Sequence, residues 1–170
     1  MKLFAIYIGG EHPGANIEVH DVRFVIADSI EETFSTLREQ WWGVPRSLHV
    51  DCWAEVTEAD GFEISLSPEP FEEQDKLYFV NLGGYQPEEF AERHRNVFVV
   101  AQSESKAKYR ALKMVKGWIE PHKDDLYEAD HAYCLSEGPV GERLFVHLTP
   151  IDRHEQPSFT CRYIPIRKAS

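Results

Sequence analysis

The chain opens on a nearly unbroken apolar run, Leu3 to Ile8, closed by Gly9 and Gly10. Its aromatic and β-branched content and its length predict a strand buried on both faces. The run returns as Leu77 to Leu82, closed by Gly83 and Gly84, at the offset of 74 that carries Gly9 to Gly83. Without a gap, Lys2 to Gly43 lies over Lys76 to Gly117 with 12 identities in 42 positions. Average residue usage would produce about two or three. The pattern therefore reads as an internal duplication.

Each copy continues in the same order. The glycines are expected to release the strand into a loop through backbone angles other residues avoid, and Pro13, matched by Pro87, stiffens that loop. The loop ends at His20 or His94, and Val22 to Ala27 or Val97 to Ala101 forms a second strand. A helix follows. Ser29 with Glu32 is a capping-box signal, and Ile30, Phe34, Leu37 and Trp41 recur at helical spacing. In the second copy Ser103 can cap, and Ala107, Ala111, Met114, Val115 and Trp118 supply the stripe. Gly43 and Gly117 follow as C-terminal stops.

Beyond the helices Leu48 to Val56 lies over Pro121 to Ala129. Alternation places Leu48, Val50, Cys52, Ala54 and Val56 on a dry face and His49, Asp51, Trp53 and Glu55 on a decorated one. After a turn at Ala59-Asp60-Gly61, Phe62 to Leu66 returns as the hairpin partner. The second copy has a longer turn, Ser136 to Gly141, before Leu144 to Leu148, and a last apolar run spans Phe159 to Ile164. These elements predict an α+β protein: two tandem, pseudo-twofold-related β–β–α–β–β repeats, residues 1–72 and 73–170, with a C-terminal strand at 159–164, packed around a shared core.

Composition changes this picture little. With 42% hydrophobic residues the chain has ample surface to bury. Eighteen basic against 29 acidic side chains leave a formal charge of −11, which repels phosphate backbones and anionic bilayers, so neither nucleic acid nor membrane is an expected partner. The cationic cluster from Lys106 to Lys116 reads as a solvated helix face. Cys52, Cys134 and Cys161 are odd in number and lack CxxC spacing, which fits a reducing cytoplasm. Met1 to Ile8 runs straight into a strand rather than a leader, and no apolar run approaches the length of a membrane span.

The candidate chemistry lies in one repeated pattern, His-x-Asp-x-[Trp/Leu]-x-Glu: His49, Asp51 and Glu55, then His122, Asp124 and Glu128. Residues two apart on a strand stand about 7 Å apart on one side. Such a row can hold a divalent metal or pair a His base with an Asp, provided another strand contributes, and His20 and His94 are the candidates for that role. The plainer account is a solvated sheet face with cross-strand hydrogen bonds. His20 and His94 can equally fix the course of the glycine loops, or line a pocket with Tyr7 or Asn81. Gly9, Gly10, Gly83 and Gly84 are the loop candidates, although phosphate cradling is disfavoured because no helix follows at once. Cys52 is placed on the dry face as a small core residue. No Gly-x-Ser-x-Gly, HExxH, P-loop or GxGxxG occurs, and no cofactor is expected.

The run from Leu3 through Val25, with Leu48-His-Val-Asp and Leu77 to Tyr85, resembles a small bacterial family of single or tandem domains known as domain of unknown function 1543. The resemblance covers nearly the whole chain and implies the duplication and a cytoplasmic setting. It brings no catalytic residue with it. The functional expectation is a soluble, non-enzymatic ligand- or protein-binding module. The alternatives are a metal-dependent or His/Asp acid–base enzyme and a structural protein that forms a homodimer.

Overall fold

The computed structural model describes residues 1–84, 88–114, 131–136 and 144–167. The α+β class holds: antiparallel sheet predominates and two short α-helices accompany it. The chain forms two compact units, Met1–Thr57 with Pro157–Ser170, and Glu58–Gln156.

In the first unit β1 (Lys2–Gly10) lies between β2 (Val19–Ala27) and β3 (His49–Glu55), and β10 (Thr160–Pro165) adds to the outer edge of β3. Phe4, Ile6 and Ile8 alternate onto one face of the central strand. They pack with Val25, Ile30, Leu37, Trp41, Leu48, Val50 and Ile166. Leu37 comes from α1 (Phe34–Gln40), which a single 3₁₀ turn at Glu31–Thr33 precedes. The expected capping box is displaced by one residue: the Glu32 carboxylate accepts the N–H of Asp28, not that of Ser29.

The second unit contains β6 (Lys76–Gly84) between β7 (Arg93–Ala101) and β8 (His131–Cys134), with α2 (Glu104–Met114) burying Ala107 and Ala111 against the sheet. Val115, Gly117 and Trp118 lie outside the described residues. The β6–β7 ladder, from Lys76↔Ala101 to Gly84↔Arg93, has the register of β1–β2, from Lys2↔Ala27 to Gly10↔Val19, displaced by 74. A separate sheet joins β4 (Glu58–Ala59), β5 (Phe62–Ser67) and β9 (Phe145–Pro150).

Four expectations are corrected. Gly9 and Gly10 do not open a loop: they stay in the ladder opposite His20 and Val19, and Gly83 and Gly84 do the same opposite His94 and Arg93. Continuing the ladder gives nine residues of each strand antiparallel partners, so both histidines lie within strands. Phe62–Ser67 does not fold back on β3. The Asp60-Gly61 turn, with φ of 50° and 86°, closes a two-residue hairpin between β4 and β5, and β5 then pairs with β9. Beside β6 the strand is His131–Cys134, in which Cys134 faces Tyr78 as Glu55 faces Phe4 on β1. Cys134 thus takes the register position that Glu55 has beside β1, and residues 121–129, with His122, Asp124 and Glu128, lie outside the described residues.

The fourth correction concerns β3. Tyr7 pairs with Cys52 but Ile8 pairs with Val50, leaving Asp51 as the extra residue of a β-bulge. The bulge reverses the alternation partway along the strand. Trp53, opposite Ile6, packs on the apolar core, whereas Cys52, opposite Tyr7, turns to the other face. Among the described residues no helix is long and apolar enough to cross a membrane.

Candidate metal centre

Directly paired residues of a ladder share a face. Gly9 on the central strand has His20 beside it on β2 and His49 beside it on β3. With no side chain between them, both imidazoles lean into the space above Gly9. A Cβ there would sit 2.7 Å from Nε2 of His49 and 2.8 Å from Cδ2 of His20. The glycine is required by its neighbours rather than by its backbone angles.

Two carboxylates enter the same space. Glu18 is two residues before His20. Its Oε1 is 3.1 Å from Nε2 of His49 and its Oε2 is 3.6 Å from Nε2 of His20. The bulge delivers Asp51, whose Oδ1 is 3.4 Å from Nε2 of His49 and whose Oδ2 is 3.5 Å from Nε2 of His20. The Asp51 Oδ2 is buried and has no hydrogen-bond partner among the described residues. Ligand atoms of Glu18, His20 and His49 all lie within 4.8 Å of one another.

The orientation of His49 is fixed from behind. Its side chain is 4% exposed, and Nδ1 lies 2.9 Å from the carbonyl of Ser47. A carbonyl only accepts, so Nδ1 carries the proton and Nε2 points forward. Ser47 is itself anchored: its hydroxyl donates to the Val44 carbonyl and accepts the N–H of Glu11. Gly10 makes room for this support, because a Cβ there would lie 2.7 Å from the Trp41 ring and 2.8 Å from Ser47 Oγ. Tyr163 of β10 packs on the His49 ring at 4.6 Å, and Tyr7 stacks on His20 at 5.2 Å. Burial, followed by the charge of Asp51, raises the Tyr7 phenol above its ordinary value and keeps it protonated.

The structure thus brings His20, His49 and Asp51 together and adds Glu18. Glu55 is not among them: it pairs with Phe4, on the other face of the sheet and five positions along β1 from Gly9, where it meets the Lys2 ammonium at 2.8 Å. In the second unit His94 occupies the register position of His20 opposite Gly83. Its Nδ1 donates to Oδ1 of Asn81 at 3.1 Å, and its Nε2 is 3.7 Å from Glu92. Glu18 was legible in principle: it is identical to Glu92 in the ungapped repeat and stands two residues before His20, as Glu92 does before His94.

Fold and site define an α+β protein with a histidine–carboxylate cluster on the face of an antiparallel sheet opposite Phe4, Ile6 and Ile8. The family model described as Domain of Unknown Function (DUF1543) matches residues 15–66, the span that contains Glu18, His20, His49 and Asp51. The crystal structure of a protein Il1583 from Idiomarina loihiensis is similar over 98% of this chain and 99% of that one, with 32% identity and a TM-score of 0.74. The chain belongs to the family of this domain. No curated protein matches it.

Proposed function

We propose that the protein is a metal-binding module whose first unit holds one divalent transition-metal ion through Nε2 of His20, Nε2 of His49 and the carboxylates of Glu18 and Asp51. One observation carries this reading. Nε2 of His20 on β2 and Nε2 of His49 on β3 each lie 3.1 to 3.6 Å from an oxygen of both Glu18 and Asp51, and ligand atoms of Glu18, His20 and His49 fall within 4.8 Å of one another. Ligands about 2.0–2.2 Å from a common ion stand about 3–3.5 Å apart. An imidazole nitrogen that bears no proton faces these carboxylate oxygens as acceptor to acceptor, a conflict that a cation between them resolves.

Two imidazoles with carboxylates suit zinc, or a ferrous ion with open positions. The Ser47 carbonyl behind His49 is the kind of outer partner that fixes a ligating ring. The chain's charge of −11 favours approach of a cation. Glu18 and His20 are both exposed, so a small anionic ligand or a water can complete the coordination from solvent. We further infer that the two units descend from one duplicated module, supported by the shared ladder register. In the second copy Asn81 stands where Tyr7 stands in the first.

Calorimetric titration of metal-free protein with Zn2+ tests the assignment. One ion per chain should bind, and His20→Ala or His49→Ala should weaken binding about tenfold or more. Absence of stoichiometric uptake, or equal uptake by both variants, would overturn it.

A further inference from the structure

Cys161 lies directly opposite Cys52 where β10 pairs with β3, and their Sγ atoms are 2.7 Å apart. Directly opposed residues of an antiparallel pair have Cα separations of about 4.5–5.5 Å, inside the range a disulfide spans. We propose that Cys52 and Cys161 form a reversible redox pair that takes low-molecular-weight disulfides as oxidants and locks β10 onto β3. The pair shares the face of Tyr7, beside the histidine–carboxylate cluster, but the proposal stands without a metal.

The two thiols have different surroundings. Cys161 is exposed and able to meet an oxidant, whereas Cys52 is half-buried. An oxidant arriving from solvent therefore meets Cys161 first, and Cys52 beside it resolves the mixed disulfide. The Cys161 thiolate attacks one sulfur of oxidised glutathione. That sulfur–sulfur bond breaks, and one glutathione leaves as a thiolate and takes up a proton. Cys52 then loses its proton to solvent and attacks the Cys161 sulfur of the mixed disulfide, expelling the second glutathione. Two protein thiols are oxidised to one disulfide and one glutathione disulfide is reduced to two thiols.

The consequence is local. β10 is an edge strand, and it carries the Tyr163 ring that packs on His49. A covalent tie at Cys161 anchors that strand two residues from Tyr163.

The full chain, equilibrated in buffers of graded reduced-to-oxidised glutathione ratio and acid-quenched, provides the test by thiol counting and non-reduced peptide mapping. Free thiols should fall from the three of the sequence to one, with Cys52 linked to Cys161 within one chain. Cys134→Ser should keep this linkage, and the oxidised protein should melt at a higher temperature than the reduced one. Three persistent thiols, a glutathione adduct that stays on Cys161, a linkage through Cys134 or a disulfide between chains would each overturn the proposal.

Discussion

His20 and His49 meet over Gly9, which pairs with one on each side of the central strand. Their approach exists only because position 9 has no Cβ. Gly9→Ala should therefore push both rings aside, weakening metal binding about tenfold or more, as loss of ligand orientation does. The crowding should also cost about 1–3 kcal/mol of stability. Titration calorimetry and denaturant unfolding of the same variant measure the two effects separately.

Asp51→Asn preserves shape and removes charge. The Oδ2 has no hydrogen bond to lose among the described residues. Unfolding of the metal-free variant should stay within about 0.5 kcal/mol of wild type. The rise in melting temperature that metal confers on wild type should shrink or vanish. A metal-free protein destabilised by several kcal/mol would instead make Asp51 a structural residue.

The buried Asp60 is a different kind of carboxylate. It accepts the Val100 N–H at 2.9 Å and two bonds from the Arg110 guanidinium at 2.7 and 2.8 Å, at a left-handed φ of 50°. Asp60→Ala removes all three hydrogen bonds and strains the turn, and should cost about 2–4 kcal/mol in urea unfolding. Asp60→Asn should cost less, because asparagine tolerates that φ. Neither should alter metal uptake in the first unit.

Alkaline stability follows from the raised thiol. Reduced Cys52 holds its proton in the folded state up to about 12, against an ordinary value of 9.0. Between those values the unfolded chain binds fewer protons, so this contribution is present below pH 9 and declines as pH rises toward 12. Tyr7, raised for the same primary reason, acts in the same direction above pH 10. Melting curves of the reduced protein from pH 8 to 11 should decline more steeply for wild type than for Cys52→Ser; parallel curves would contradict the assignment.

How much of this was readable in the chain depends on what each signal measures. Apolar runs located the two central strands, β2, β3, β7 and both helices, because burial imposes its period on sequence; the short β8 beside β6 has no such run. His20, His49 and Asp51 were legible as candidates through residue type and repetition. Glu55 failed because the bulge puts it opposite Phe4, on the other face of the sheet and far along β1 from Gly9. Placing Cys52 on the dry face failed because the bulge at Asp51 reverses the alternation, and nothing in the residues around it demands one. The glycines read as turn-formers, but their role is to leave space for side chains two strands away in sequence. That role becomes visible only once the register is known.

X-ray absorption at the zinc edge of protein loaded with one equivalent of Zn2+ addresses the central claim most directly. The account predicts a first shell of nitrogen and oxygen near 2.0–2.2 Å with imidazole outer-shell scattering and no sulfur. A zinc–sulfur shell near 2.3 Å would place the ion on cysteine instead, and a spectrum of hexaaqua zinc would leave the cluster without a metal.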